Sequence, residues 1–418
     1  DAIGFHYRTN ATSDYITMAD VDDKEVWYSE GCATFGYSEL QENKTAEYGA
    51  GTIGGYQSPL ALLDSLPNAF VGSRRTMYMF QPAIGSFYEG IQYGHKELLS
   101  ARDPWSGYIH YDPVLYMLSH ITKFAKTGWE NDTNTNGIWR VLPNATYGSF
   151  GSSDNEHQTA GINGDASYMT LAAPDKTNFS TVFINNTQNE KTFAIKTSDL
   201  KLSVDALHIW TTVTDDYLKQ GEDVKIEDGV AYVTVPAYSV VTATTLDTTP
   251  ERFPTEDGSG DYIQTEKRTV LDTDYTGKNQ NTTDDYLYAD NFEYTNEEDV
   301  TVYNATTGKE TTENYLVSRG NEPRYMLDTH GAWIVENGQL KQENASSVNQ
   351  WNGGDPATIV GDWRWMDYSA SIDVTLPGAE ASRYERLTIR AQTGMNWNNS
   401  GYTLEINGAG SWKLYRIG

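Results

Sequence analysis

The sequence predicts a multidomain chain: the C-terminal part of a (β/α)8 barrel, then a β-sandwich, then a β jelly roll. Three observations predict it. Up to about residue 130, short apolar strands alternate with helix-like stretches, and repeating strand-then-helix units imply a parallel sheet. Three strands are too few to close a barrel, so this reads as the last third of one. From about 137 to 248 only strand patterns occur, and from about 287 they resume with the hairpin dipeptides Asn337-Gly338 and Asn407-Gly408. With 418 residues there is room for two or three domains. The boundaries read as 1–130 for the barrel portion, 131–250 for the sandwich, 251–286 for a linker or long loop, and 287–418 for a truncated jelly roll.

In the first segment Ala2–Tyr7, Val26–Ser29 and Leu98–Ala101 read as strands, while Ala61–Leu66 and Met77–Tyr88 are apolar enough for helices. Asp112-Pro113, an Asp N-cap with Pro at the first helical position, opens an amphipathic helix through Phe124. The sandwich strands are Ser167–Ala172, Phe179–Asn185, Thr192–Lys196, Leu207–Val213, Val230–Val235 and Tyr238–Leu246. After the charged, Pro- and Gly-containing linker come Ala332–Val335, Thr358–Val360, Ser369–Val374, Arg386–Ala391 and Tyr402–Ile406. Trp351, Trp363, Trp365 and Trp397 lie among these last strands, more in the manner of jelly-roll core than of a glycan platform.

The chain is 12% aromatic, with 29 Tyr and 11 Trp, a mix suited to β-sheet surfaces and sugar-facing sites. A formal net charge of −28 argues against a nucleic-acid backbone or an anionic membrane as partner. It fits an extracellular or salt-tolerant protein with neutral glycans as ligands. The single cysteine, Cys32, allows no internal disulfide. No apolar run approaches the roughly 18 residues of a transmembrane helix. Metal-dependent hydrolysis ranks low, because none of the seven His stands at His-x-x-x-His spacing with a Glu between. Both ends fall inside strand patterns, so the chain reads as a portion of a longer protein.

Val26-Trp27-Tyr28-Ser29-Glu30 carries the candidate chemistry. A carboxylate closing an apolar strand is costly unless it serves a purpose. At the C-terminal end of a barrel strand that purpose is usually catalysis. Such a group can be the nucleophile of retaining glycoside hydrolysis, with a second carboxyl about 5–5.5 Å away as acid/base. The alternative is a strand-end Glu that caps a helix or pairs with Arg.

Five segments, taken in order, resemble galactocerebrosidase and its bacterial relatives. They are Ile3-Gly4-Phe5-His6-Tyr7, Val26–Thr34, Tyr93-Gly94, Ala101-Arg102-Asp103-Pro104-Trp105-Ser106-Gly107-Tyr108 and Ile359-Val360-Gly361-Asp362-Trp363. The resemblance implies a retaining β-galactosidase built of a TIM (β/α)8 barrel, a β-sandwich and a lectin-like domain. Of that protein this chain would be the C-terminal portion. Glu30 then falls on the nucleophile, and the acid/base Glu, which follows the fourth barrel strand in the family, is missing from this chain. Substrate contacts implied are His6, which could orient Glu30, Tyr7 and Tyr93 as hydroxyl donors, and Trp105 as an apolar platform for galactose. In each case the plainer alternative is a residue packing the barrel rim.

Departures weaken galactosylceramide as the particular substrate: Gly31 and Ala33 replace acidic and hydroxyl positions after the nucleophile, and Gln81 replaces a pocket tryptophan. The chemistry needs no cofactor. A structural calcium in the lectin-like domain is the one metal implied, with Asp290 at a ligand position and Asp362 a weaker candidate; otherwise Asp290 merely caps a turn. The implied partners are a β-galactoside glycan or glycolipid and the remaining N-terminal part of the same protein. The implied setting is secreted and bacterial. The competing function is a secreted glycan-binding protein that keeps a glycosidase fold without the activity.

Overall fold

The computed structural model describes residues 1–6, 12–30, 53–55, 58–79, 83–85, 98–100, 110–111, 113–125, 139–148, 165–247, 286–293, 299–304, 307–314, 321, 323, 326–344, 355–360, 366–391 and 401–417. The chain divides into two compact units: Asp1–Gly85, His95–Ser100 and His110–Thr265 in one, and Ser86–Gly94, Ala101–Ile109 and Glu266–Gly418 in the other.

The first unit opens with strand β1 (Ala2–His6), helix α1 (Ser13–Asp20) and strand β2 (Glu25–Glu30), followed by helix α2 (Pro59–Pro67) and strand β3 (Arg75–Tyr78). These three strands form one open parallel sheet in the order β1-β2-β3. Three two-residue strands, β4 (Ile84–Gly85), β5 (Leu99–Ser100) and β6 (His110–Tyr111), make a separate small sheet, and helix α3 (Pro113–Thr122) follows. Then come β7 (Arg140–Val141), β8 (Ser167–Ala172), β9 (Phe179–Asn185), β10 (Lys191–Lys196), β11 (Ala206–Val213), β12 (Asp216–Gln220), β13 (Val224–Lys225), β14 (Val230–Val235) and β15 (Ser239–Thr244).

Seven of these form one antiparallel sheet in the order β12-β11-β15-β9-β8-β7, with β13 on β11, while β10 and β14 pair separately. The large sheet is covered on both faces. Phe179, Phe183, Leu207, Ile209, Val241 and Ala243 pack against Ala231, Val233 and Val235 of β14. From the opposite face Val182, Ile184 and Val240 meet Leu60, Leu63 and Leu66 of α2 and Met117 of α3. That is why β9, Phe-Ser-Thr-Val-Phe-Ile-Asn, shows no polar face and is buried along its length, whereas β14 alternates buried and exposed. Ser58 caps α2 by accepting from the Ala61 amide at 3.2 Å, and Pro59 takes the first helical position.

In the second unit β16 (Asp299–Asn304) pairs with β17 (Lys309–Asn314), β18 (Leu327–His330) with β21 (Ala357–Ile359), and β19 (Trp333–Glu336) with β20 (Gln339–Gln342). A meander of β22 (Tyr384–Ile389), β23 (Gly401–Asn407) and β24 (Trp412–Ile417) completes it. The hairpin expected at Asn337-Gly338 forms, with both residues at positive φ, 54° and 70°.

The expected fold is therefore corrected. The described residues make a largely β-rich fold of several open sheets with three short α-helices, and no closed (β/α)8 arrangement. The physical reason lies in the partners of the apolar stretches. Helices α2 and α3 read as barrel helices but bury themselves on the antiparallel sheet. The expected strand Leu98–Ala101 is a two-residue piece in another sheet, and the stretch expected as helix from Met77 begins inside β3. The jelly roll, likewise, gives way among the described residues to separate small sheets.

Candidate active site

Glu30 is the last residue of β2, and His6 is the last of β1. The two strands run in parallel register from Ala2 beside Glu25 to Phe5 beside Tyr28; a shift between Phe5 and His6 then sets His6 beside Glu30. His6 Nδ1 stands 3.3 Å from Glu30 Oε2, with the side chains 52% and 33% exposed. The carboxylate is thus partly exposed and has a polar neighbour able to fix its orientation. Ser29, between the two paired positions of β2, donates from Oγ to the Phe5 carbonyl at 3.3 Å.

The same strands carry an aromatic and cationic floor. Phe5 stacks on Tyr15 of α1 at 4.8 Å and meets Tyr28 edge-on at 6.1 Å, while Tyr28 stacks on Tyr78 of β3 at 4.3 Å. The Arg75 guanidinium sits 4.6 Å from the centroids of both Phe5 and Tyr28. Burial of Arg75 lowers its pKa to about 10, and burial pushes the Tyr78 phenol up. Sequence reading missed Arg75, Tyr78 and Ser29. The one available signal was a basic residue inside the apolar alternation of Arg75-Thr76-Met77-Tyr78.

Of the expected site residues the structure brings His6 and Glu30 together. Tyr7, Tyr93 and Trp105 lie outside the described residues, as do Gly31, Ala33 and Gln81. Asp290 belongs to the second unit, where Oδ2 accepts from the Tyr288 hydroxyl at 3.0 Å and Oδ1 from the Phe292 amide at 2.7 Å. Phe292 turns at φ 55°, so Asp290 holds a turn. Calcium takes six to eight oxygens. Among the described residues no group of three or more His, Cys, Asp or Glu gathers.

Comparison with known proteins finds a partial likeness: residues 1–123, the stretch that carries β1, β2 and Glu30, match the model of glycosyl hydrolase family 59. The chain is a distant homologue of that family's galactocerebrosidases. It is 27% identical over 129 residues to galactocerebrosidase of Canis lupus familiaris, covering 31% of this chain and 16% of that protein. With the Homo sapiens protein it shares 27% over 130 residues, 31% of this chain and 16% of that one. With the Salmo salar protein the likeness extends to 261 residues at 23%, or 59% of this chain and 34% of the relative. The chain thus matches at most about a third of these relatives' length. A glycoside hydrolase family 30 subfamily 8 xylanase, Xyn30A from Clostridium acetobutylicum, superposes with a TM-score of 0.36 at 11% identity, covering 58% of this chain and 48% of that one.

These findings correct the expected bacterial setting. The named relatives, from dog, zebrafish, human, macaque, mouse and salmon, are vertebrate galactocerebrosidases. No helix among the described residues is long and apolar enough to cross a membrane.

Proposed function

We propose that this chain is part of a retaining glycoside hydrolase that removes terminal β-D-galactose, with Glu30 as the nucleophile. The observation that carries the reading is the His6–Glu30 pair, 3.3 Å apart at the adjacent ends of two parallel strands, within the stretch that matches family 59. Glu30 attacks the anomeric carbon, the bond to the aglycone oxygen breaks, and a galactosyl ester forms on the carboxylate. An acid carboxyl supplied by sequence outside residues 1–418 protonates the leaving oxygen, then as base activates the water that cleaves the ester. His6 holds the Glu30 carboxylate in line. Tyr7, Tyr93 and Trp105 are assigned to the substrate, the last as a face for the apolar side of galactose. No cofactor takes part.

The test is an activated 2-fluoro-β-D-galactoside given to the chain expressed within its native flanking sequence. The expected result is one 2-fluorogalactosyl group on the peptide containing Glu30, found by mass spectrometry. Hydrolysis of an aryl β-D-galactoside should fall by at least about 10³-fold in Glu30→Gln. Binding of galactosides with neither adduct nor turnover would sink the enzyme reading in favour of a glycan-binding protein.

A further inference from the structure

We propose that Ser29, together with Gly4, is a positioning residue that locks His6 against Glu30. The lock is a feature of the two strands themselves; only its catalytic consequence rests on the reading of Glu30 as nucleophile. In an unbroken parallel register Ser29 would stand opposite His6, and Glu30 would lie one residue, about 3.3 Å, further along. The slip after Phe5 sets Glu30 there instead and leaves Ser29 as the skipped residue. A skipped residue disrupts the ladder locally, and something must satisfy the backbone around it. Here the Ser29 hydroxyl contributes, donating at 3.3 Å to the carbonyl of Phe5, the peptide that leads directly into His6.

Gly4 makes room for this hydroxyl. A Cβ at Gly4 would lie 2.7 Å from Ser29 Oγ and 3.2 Å from Ser29 Cβ, so any larger residue would push the serine off its acceptor. Gly4 is not at positive φ, so its role here is space and not backbone freedom. Glycine opens the gap, serine closes the slip, and the contact between His6 and the carboxylate follows. Misplacing a reacting group by about 1 Å can cost on the order of 10²-fold in rate. Ser29→Ala should therefore slow covalent trapping at Glu30 by about 10- to 100-fold.

The decisive measurement does not need turnover. The chain has seven His, and ring-carbon labelling gives each one NMR signal, that of His6 being assigned with His6→Gln. At fixed pH, Glu30→Gln should move the His6 signal in the parent and leave it unmoved in the Ser29→Ala background. Gly4→Ala should behave as Ser29→Ala does, and Ser29→Thr, which keeps the hydroxyl, as the parent. Equal movement of His6 by Glu30→Gln in both backgrounds would overturn the lock. So would loss of that response in a folded Ser29→Thr chain, a variant that serves if Ser29→Ala does not fold, with the remaining His signals reporting the fold. A protein that forms no adduct overturns the nucleophile and leaves this result readable.

Discussion

Arg74 and Arg75 are adjacent in sequence and opposite in fate. Arg74 turns out through a positive φ of 56° and pairs with Asp20 at 2.9 Å, whereas Arg75 is 2% exposed beneath the rings of Phe5 and Tyr28. Arg75→Ala removes two cation–π contacts and leaves a hole against Phe5 and Tyr28, so it should cost about 2–4 kcal/mol in urea unfolding. A loss under about 0.5 kcal/mol would show that the floor is not held by this side chain. The places of Glu30 and His6 at strand ends were legible because each closes an apolar run. Arg75 was not legible. In sequence it is half of a basic pair that reads as solvated, and only the register of β3 on β2 reveals which half is buried.

At the scale of elements, α3 was legible and its partner was not. Its apolar periodicity gives a helix, but nothing local says that it packs on strands far along the chain. His120 joins them: Nδ1 lies 2.8 Å from Thr242 Oγ1 on β15 and Nε2 lies 2.7 Å from Thr212 Oγ1 on β11. Burial lowers the His120 pKa to about 3. The unfolded chain takes up this proton below about 6.5 and the folded protein only near 3, so the unfolded state binds more protons between those values. Stability is therefore fully present above pH 6.5 and is lost as pH falls toward 3, on the order of 2 kcal/mol by pH 5. Urea midpoints of His120→Gln between pH 7 and 5 should vary less than those of the parent; an unchanged slope would remove His120 from the acid response. On the meander of the second unit, Leu404 faces Leu414 and Ile406 faces Trp412 across the strands, with Trp412 70% and Leu414 67% exposed. Leu414→Lys should raise solubility with a stability change within about 0.5 kcal/mol, by light scattering and thermal unfolding; a larger loss would show that this leucine is packed.

Across the whole molecule, alternation of strands and helices near the start suggested one layer of parallel architecture, yet the chain spends those helices on a sheet built from later sequence. Periodicity reports which residues seek burial and says nothing of the surface that will receive them. Patterned strands were therefore located well, as with β8, β9, β11 and β14, while the layers they build were not. Covered on both faces, β9 and β15 should show the slowest amide exchange of any described strands; faster exchange there than in β12, at the sheet edge, would contradict the layering. The same covering has a consequence during synthesis. Helices α2 and α3 leave the ribosome long before β11 and β15, so their full covering must wait through more than a hundred residues of elongation, from His120 to Thr242. At about 5–20 residues per second that is a delay of roughly 6 to 24 seconds, long enough for a chaperone to engage the waiting helices.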